Sequence, residues 1–384
     1  MAQENKDRCI KVKQKNWIKY ICVLLLLAAV GIGGFFLGKA RETERYQAEK
    51  QLDILLNRSD LEGLGEIEGT IYVTGHKSPD SDTVGSSIAY AALLRALGYD
   101  AVPVVLGPVN HESEYILEAA GLEAPKLMED ASGLNMVLVD HSEYTQSADG
   151  LEDAHVITIV DHHGDGSVMT GNPLIYDARP IGSAATITWL RYRSYGVEPD
   201  RQSAIMMMGA ILSDTKNLQS GTTTFADREA VRVLSGIGGI SDVDDFYQGQ
   251  YKALLSYEGK TDEEIFFTDY KEYDIGGKKI SVGNVNAYDE ETARDLAERM
   301  RNVMPLTKPK TGMDMSFAMV SILHDDLSVT WLVPSDEAAE EVLQTAFGDQ
   351  AVRDGDAWRI EPYASRKAVF IPAITDVLEA YPKE

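Results

Sequence analysis

From Thr70 onward the chain alternates short apolar runs with longer stretches of helical periodicity. Segments 70–74, 101–107, 135–140 and 156–161 read as strands, because each is short, β-branched and without the polar alternation of a half-wet sheet. Stretches 83–98, 111–121, 185–196 and 204–214 read as helices, the first stopped by Gly98. Repeated strand–helix alternation predicts an α/β fold whose mostly parallel sheet is covered on both faces. A polar seam near 250–264 breaks the pattern. Beyond it, Tyr273 to Val285 reads as a hairpin turning at Gly276-Gly277. A helix at 289–303, strands near 314–323 and 328–333, and a helix at 335–347 complete a smaller α+β domain.

Upstream, residues 20–37 carry no charge. As a helix this run would span about 27 Å, close to the thickness of a bilayer core. Lys19 and Lys39 flank it, and Trp17 and Tyr20 suit an interface. Gly38-Lys39-Ala40 makes a poor signal-peptidase site, so an uncleaved anchor is expected. The chain then divides into a basic tail (1–17), one transmembrane helix (18–38), a stalk (39–68), a first domain (69–250), a hinge linker (251–264) and a second domain (265–384). Lys6, Arg8, Lys11, Lys13, Lys15 and Lys19 outweigh the cations after the span, which Glu42, Glu44 and Glu49 dilute. The positive-inside rule therefore predicts a single-pass membrane protein with its body extracytoplasmic.

The 384 residues suffice for two domains and an anchor. A formal charge of −25 disfavours nucleic acid as a partner. It leaves room for a small anion wherever divalent cations reverse the local field. Cys9 and Cys22 are the only cysteines, so the body contains no disulfide and no thiolate ligand.

Four segments place His or Asp at the end of an apolar run: His76-Lys77-Ser78-Pro79-Asp80-Ser81-Asp82, Asp140-His141, Asp161-His162-His163 and Ser213-Asp214. Ligands of open α/β sheets collect at the carboxyl ends of strands, so these clusters are expected to converge. Imidazole and carboxylate without thiolate suit Mn²⁺, Mg²⁺ or Co²⁺ better than structural zinc. The donors outnumber what one ion with open positions requires; two ions sharing a bridging carboxylate fit better. One Asp after a strand is ordinarily a cap or turn residue. His111, His141, His155 and His324 keep that plain reading, whereas four clusters in order do not.

The order GHKSPDSD, VDH, DHH and SD resembles the DHH phosphoesterase superfamily. The closing Ser365-Arg366-Lys367, followed by an expected strand and Pro372-Ala373-Ile374-Thr375-Asp376, resembles the DHHA2 subgroup, as do SSIAYAALLRALGYDAVPVVLGPVN and IGSAATI. The likeness covers residues 70–384. It implies an inorganic pyrophosphatase using two Mn²⁺ per site, with Co²⁺ or Mg²⁺ as substitutes. His76 and Asp80 would hold one ion, Asp82, His162 and Asp214 the other, and Asp140 would bridge them. A water or hydroxide between the ions would be the nucleophile. His163 would contact substrate and protonate the leaving phosphate, with Asp161 orienting a neighbouring histidine. Arg366, Lys367 and Lys260 would bind the phosphates of a small anionic substrate, and a homodimer is compatible with the family. Ser78, Ala368 and the stretch Gln219-Ser220-Gly221-Thr222 depart from the family pattern and thin the cations around the substrate. The alternatives are an exopolyphosphatase or other DHH phosphodiesterase, or a non-catalytic membrane-anchored binding module. The glycine-rich GGGH segment of the nucleotide-binding branches is missing: Gly236-Ile237-Gly238-Gly239 has no histidine and lies too early.

Overall fold

The computed structural model describes residues 2–164, 166–324 and 327–380; of the side chains in 2–37, it describes only Trp17, Lys19, Leu25, Phe35 and Phe36. Helix α1 runs Ala2–Gly63. The expected span 18–38 therefore falls largely on side chains outside the described residues. Among the described residues, no helix is long and apolar enough to cross a membrane. The far end of α1 docks on the body. Leu61 is buried, and Arg58 donates twice to the Tyr195 carbonyl, at 2.8 and 2.6 Å.

The first domain contains, in order, β1 (Ile71–Thr74), α2 (Ser81–Ala96), β2 (Ala101–Val105), α3 (His111–Ala120), β3 (Lys126–Leu127), β4 (Asn135–Val139), β5 (His155–Asp161), β6 (Ile175–Ala178), α4 (Ala184–Ser194), α5 (Arg201–Asp214), α6 (Phe225–Gly238) and α7 (Val243–Leu254). All six strands pair in parallel, in the order β3-β2-β1-β4-β5-β6. Successive residues of β4 point to opposite faces, the geometry expected of a strand. Val137 and Val139 join the large core under α2, α4 and α5. Met136 and Leu138 join a smaller one with Ala148 and Leu151. Both faces are covered as expected, although the second is closed by loops and short 3-10 turns.

The second domain follows with α8 (Asp262–Phe266), β7 (Tyr270–Ile275), β8 (Lys278–Asn286), α9 (Glu290–Thr311), β9 (Met315–His324), β10 (Leu327–Pro334), α10 (Glu337–Phe347), β11 (Ala351–Asp354), β12 (Ala357–Ile360) and α11 (Ile371–Ala380). Its sheet is mixed, in the order β11-β12-β10-β9-β8-β7, with only β8 and β9 parallel. The hairpin turns at Gly276 and Gly277, both at positive φ (61 and 80°), which glycine adopts without a Cβ clash. Two expectations need correction. Helix α9 continues past Pro305 and Pro309 to Thr311, because burial of Met304 and Thr307 outweighs the proline penalty. The strand expected after Ser365-Arg366-Lys367 is a π-helical turn, Arg366–Phe370, leading into α11. Phe370 is buried against Phe317 and Phe347 there, which a helical turn allows.

Helices α2 and α5 cross at Gly85, where an added Cβ would lie 2.7 Å from the Met206 carbonyl and 2.9 Å from the Ala210 Cβ. Gly85→Val should therefore force these helices apart and destabilise the first domain by about 1–3 kcal/mol. Urea unfolding checks this; an unchanged midpoint would contradict the close crossing.

Candidate metal centre

Strand order reverses direction between β1 and β4, the switch point at which open α/β sheets leave a crevice. Register does the rest. Thr74 pairs with Leu138, so the chain positions two residues further on, His76 and Asp140, leave the sheet side by side. Asp140 N–H donates to the Val160 carbonyl at 2.8 Å, bringing Asp161, His162 and His163 alongside. Helix α2 starts at Asp80, whose carboxylate caps it by accepting from Thr83 N at 2.9 Å. Asp214 ends α5.

Three donor clusters result, and all share Asp140. His76, Asp80 and Asp140 form the first; Asp82, Asp140, His162 and Asp214 form the second; Asp140, His162 and His163 form a third at the rim. His76 Nε2 lies 3.3 Å from Asp140 Oδ2 and 3.5 Å from Asp80 Oδ2. His162 Nε2 lies 3.2 Å from Asp140 Oδ1, 3.4 Å from Asp214 Oδ2 and 3.8 Å from Asp82 Oδ2. For metal–ligand bonds of roughly 2.1–2.5 Å, neighbouring ligands around one ion stand roughly 3.0–3.5 Å apart. All six expected ligands are therefore brought together, four of the five spacings in that range and Asp82 slightly beyond it at 3.8 Å.

The imidazoles are oriented for this role. His76 Nδ1 faces the Lys77 carbonyl at 2.8 Å and His162 Nδ1 the Ile181 carbonyl at 3.1 Å. Carbonyls only accept, so each Nδ1 carries the proton, and Nε2 is the atom aimed at the carboxylates. Asp140 is buried and held by Thr83 Oγ1 donating to Oδ2 at 2.9 Å. Its Oδ1 is buried and accepts no hydrogen bond, although His162 Nε2 lies 3.2 Å away. A buried carboxylate oxygen in that position is disfavoured unless a cation, a protonated imidazole or a metal ion, faces it. Asp140 also has φ of 62°, a left-handed conformation that Asp tolerates at some cost. Lys216, Asn217 and Leu218, just after Asp214, are left-handed in succession (48, 54 and 65°), a further sign of strain beside the site.

Electrostatics agree with the donor chemistry. Burial works against charge on His76, but the Asp140 and Asp80 carboxylates prevail and raise its pKa to about 11. His162 follows the same balance, burial opposed by Asp140 and Asp82, and reaches about 9. Burial, then the neighbouring Asp82 and Asp140 charges, pushes Asp214 up to about 12. Burial and Asp140 raise Asp82 to about 6, although it accepts from Ala184 N, Ala185 N and Ser86 Oγ at 2.6, 2.9 and 2.8 Å. For Asp140, burial is outweighed by His162 and His76, and its pKa falls below the ordinary carboxylate range. Four carboxylates in one pocket repel one another, and protons on the histidines and Asp214 relieve them only in part. Divalent cations suit this donor set better.

His163 stands at the rim, its Nδ1 3.0 Å from Asp161 Oδ1 and 3.7 Å from Asp140 Oδ1. Asp161 orients it and is itself held by Ser142 Oγ at 2.8 Å. A cleft of about 270 Å³ opens there, lined by His76, Asp140, His163 and Gly164 among others. That is below the roughly 300–1,000 Å³ of drug-sized pockets and suits a small ion.

The expected phosphate-binding cations are not part of this cluster. Arg366 donates to the Asp269 carbonyl and carboxylate, both at 2.7 Å, inside its own domain. Lys367 is exposed beside it. Lys260 lines a larger cavity, about 780 Å³, with His111, Tyr115 and Arg299; that cavity contains none of the six expected ligands, whereas the smaller cleft is lined by His76 and Asp140. His141 is buried and satisfied by the Val139 carbonyl at 3.0 Å and Ser147 Oγ at 2.7 Å, so it is no ligand. The side chain of His324 lies outside the described residues.

Sequence reasoning missed Asp227. Its buried carboxylate accepts from Gly182 N and Thr186 Oγ1, fixing the turn that presents the Ile181 carbonyl to His162 and the α4 N-terminus to Asp82. Thr224-x-x-Asp227 has the form of a capping box. That signal locates a helix start and is silent about a metal site one loop away.

Residues 70–211 match the DHH family, N-terminal domain, and residues 251–377 match the DHHA2 domain. A Clostridium acetobutylicum protein described as a probable manganese-dependent inorganic pyrophosphatase is 35% identical over 314 residues, covering 82% of this chain and 99% of the relative. The manganese-dependent inorganic pyrophosphatase of Methanothrix thermoacetophila is 35% identical over 305 residues, covering 79% and 97%. A solved Methanococcus jannaschii structure, described as a "putative family II inorganic pyrophosphatase", aligns at a TM-score of 0.50 and 31% identity, covering 81% of this chain and all of that one. The donor clusters that share Asp140 at the sheet's switch point and these likenesses, which run nearly end to end along the relatives, lead to one conclusion: the chain belongs to the DHH–DHHA2 family of the manganese-dependent inorganic pyrophosphatases.

Proposed function

We propose that the chain is a manganese-dependent inorganic pyrophosphatase, hydrolysing pyrophosphate to two phosphates at the Asp140-centred site. The observation that carries this reading is the buried Asp140 carboxylate, whose Oδ1 accepts no hydrogen bond, shared between donor clusters on either side. Ions held there would polarise phosphoryl oxygens and lower the pKa of water. His76 and Asp80 would hold one ion, Asp82, His162 and Asp214 the other, and Asp140 would contribute to both. The Asp161 hydrogen bond raises the His163 pKa above its ordinary value and fixes the ring by Nδ1. Nε2 is then free to carry a proton to the leaving phosphate. Arg366 and Lys367 lie on the second domain. In this reading the 251–264 segment is the hinge, and closure exchanges the Asp269 carboxylate on Arg366 for a substrate phosphate, completing the site and excluding water.

Asp140→Ala removes a ligand from both ions and should abolish Mn²⁺-dependent phosphate release from pyrophosphate. Arg366→Ala should raise KM by about tenfold or more while Mn²⁺ affinity holds. Near-normal turnover in the first variant, or lost Mn²⁺ affinity in the second, would overturn these roles.

Metal binding must also displace protons. Below about pH 9 the metal-free His162 is protonated, and His76 is so to about pH 11, so ions and protons compete for the same Nε2 atoms. Mn²⁺ affinity should rise with pH between 6 and 8, by about one log unit per pH unit for each proton displaced. Calorimetry in buffers of different ionisation enthalpy reads the protons released; none released would contradict the assignment of both imidazoles.

We further propose that residues 18–38 tether this enzyme to a membrane with its body on the outer side. The support is the uncharged 20–37 run between Lys19 and Lys39 and the solvent-exposed Leu25, Phe35 and Phe36. The full chain should stay with membranes washed in alkaline carbonate, and release by that wash would remove the tether.

A further inference from the structure

Glu112 is 3% exposed in the first turn of α3, and among the described residues no cation pairs with it. A buried, unpaired carboxylate is costly unless hydrogen bonds hold it. Here three do. Oε2 accepts from Ser81 Oγ at 2.8 Å and Ser213 Oγ at 2.9 Å, and Oε1 accepts from Gln250 Nε2 at 2.9 Å.

The identity of those donors is informative. Ser81 stands between Asp80 and Asp82, and Ser213 immediately precedes Asp214. One carboxylate oxygen thus clasps the N-terminus of α2 and the C-terminus of α5, the two helix ends that carry three of the ligands. Gln250 also donates to the Gly209 carbonyl of α5 at 2.9 Å and belongs to α7, the last helix before the chain enters the second domain. An apolar side chain of similar size would fill this position without desolvating a charge. Generic packing therefore does not explain an acid here, whereas bonds from hydroxyl to carboxylate, short and directional, do fix a distance.

We propose that Glu112 is a positioning residue of the metal centre. Through Ser81 and Ser213 it sets the separation between Asp80, Asp82 and Asp214, and through Gln250 it ties that arrangement to the helix leading to the second domain. This rests on the pyrophosphatase reading and adds to it a link between ligand geometry and the proposed hinge.

The test is Mn²⁺ titration of the metal-free full chain, by calorimetry and by electron paramagnetic resonance of unbound Mn²⁺. Glu112→Met, which leaves neither serine hydroxyl an acceptor at this position, should weaken Mn²⁺ affinity about 10–100-fold while the metal-free protein keeps its melting temperature. Should that variant fail to fold, the Ser81→Ala, Ser213→Ala double variant removes the same clasp and should show the same weakening. Gln250→Met leaves the serine clasp in place and cuts the bonds from α7 to Glu112 and to the Gly209 carbonyl; it should keep Mn²⁺ affinity within about twofold and raise KM for pyrophosphate several-fold. Unaltered Mn²⁺ affinity in Glu112→Met or in the double serine variant overturns the proposal. Equal affinity losses in Glu112→Met and Gln250→Met also overturn it, since packing would then account for both. If the unaltered chain binds no Mn²⁺, the enzyme reading falls as well; normal binding there with an indifferent Glu112→Met defeats the positioning role alone.

Discussion

Four carboxylates and two imidazoles are held within a few ångströms of one another, around an aspartate whose inner oxygen accepts no hydrogen bond. The rest of the first domain is organised by that crowding. Without divalent cations, the protein must hold protons on groups that would ordinarily release them. A stable core has to impose such an arrangement, because the local groups alone would relax it. The parallel sheet does so by register: β1, β4 and β5 end level, and their next residues have no freedom to separate.

The expected ligands sit on strand ends and helix termini braced by buried hydrogen bonds, from Thr83 to Asp140, from the α4 N-terminus to Asp82, and from the 181–183 turn to Asp227. The cations proposed to grip substrate sit on a separate mixed sheet, with Arg366 engaged by its own Asp269. A site divided this way would hold its metals before substrate arrives and finish assembly on the proposed closure.

Much of this was legible in the sequence, and for identifiable reasons. Buried parallel strands announce themselves as apolar runs, and residues just past them share one edge, so His76, Asp140 and His162 could be grouped without coordinates. Asp80 was visible only as part of a motif; its second duty as the α2 cap is a fact of backbone geometry. Glu112 and Asp227 were not legible. Each resembles an ordinary first-turn acid, and its importance comes from partners far away in the chain (Ser213 and Gln250 for Glu112, Gly182 and Thr186 for Asp227). The π-helical turn after Arg366 was misread as a strand because its apolar run is short, and periodicity cannot separate the two at that length. The two-residue β3 is too short to stand out, whereas α6 and α7 are clearly amphipathic and were legible, with Ala230, Val231 and Leu234 on the buried side of α6.

The central claim is that two ions share Asp140. Crystals grown with Mn²⁺, with diffraction recorded on both sides of the manganese absorption edge, measure this directly. The account requires two anomalous peaks roughly 3.5–4 Å apart, one on each side of the Asp140 carboxylate, with His76 and Asp80 on the first and Asp82, His162 and Asp214 on the second. A single peak, or a pair that leaves Asp140 uncoordinated, would contradict it.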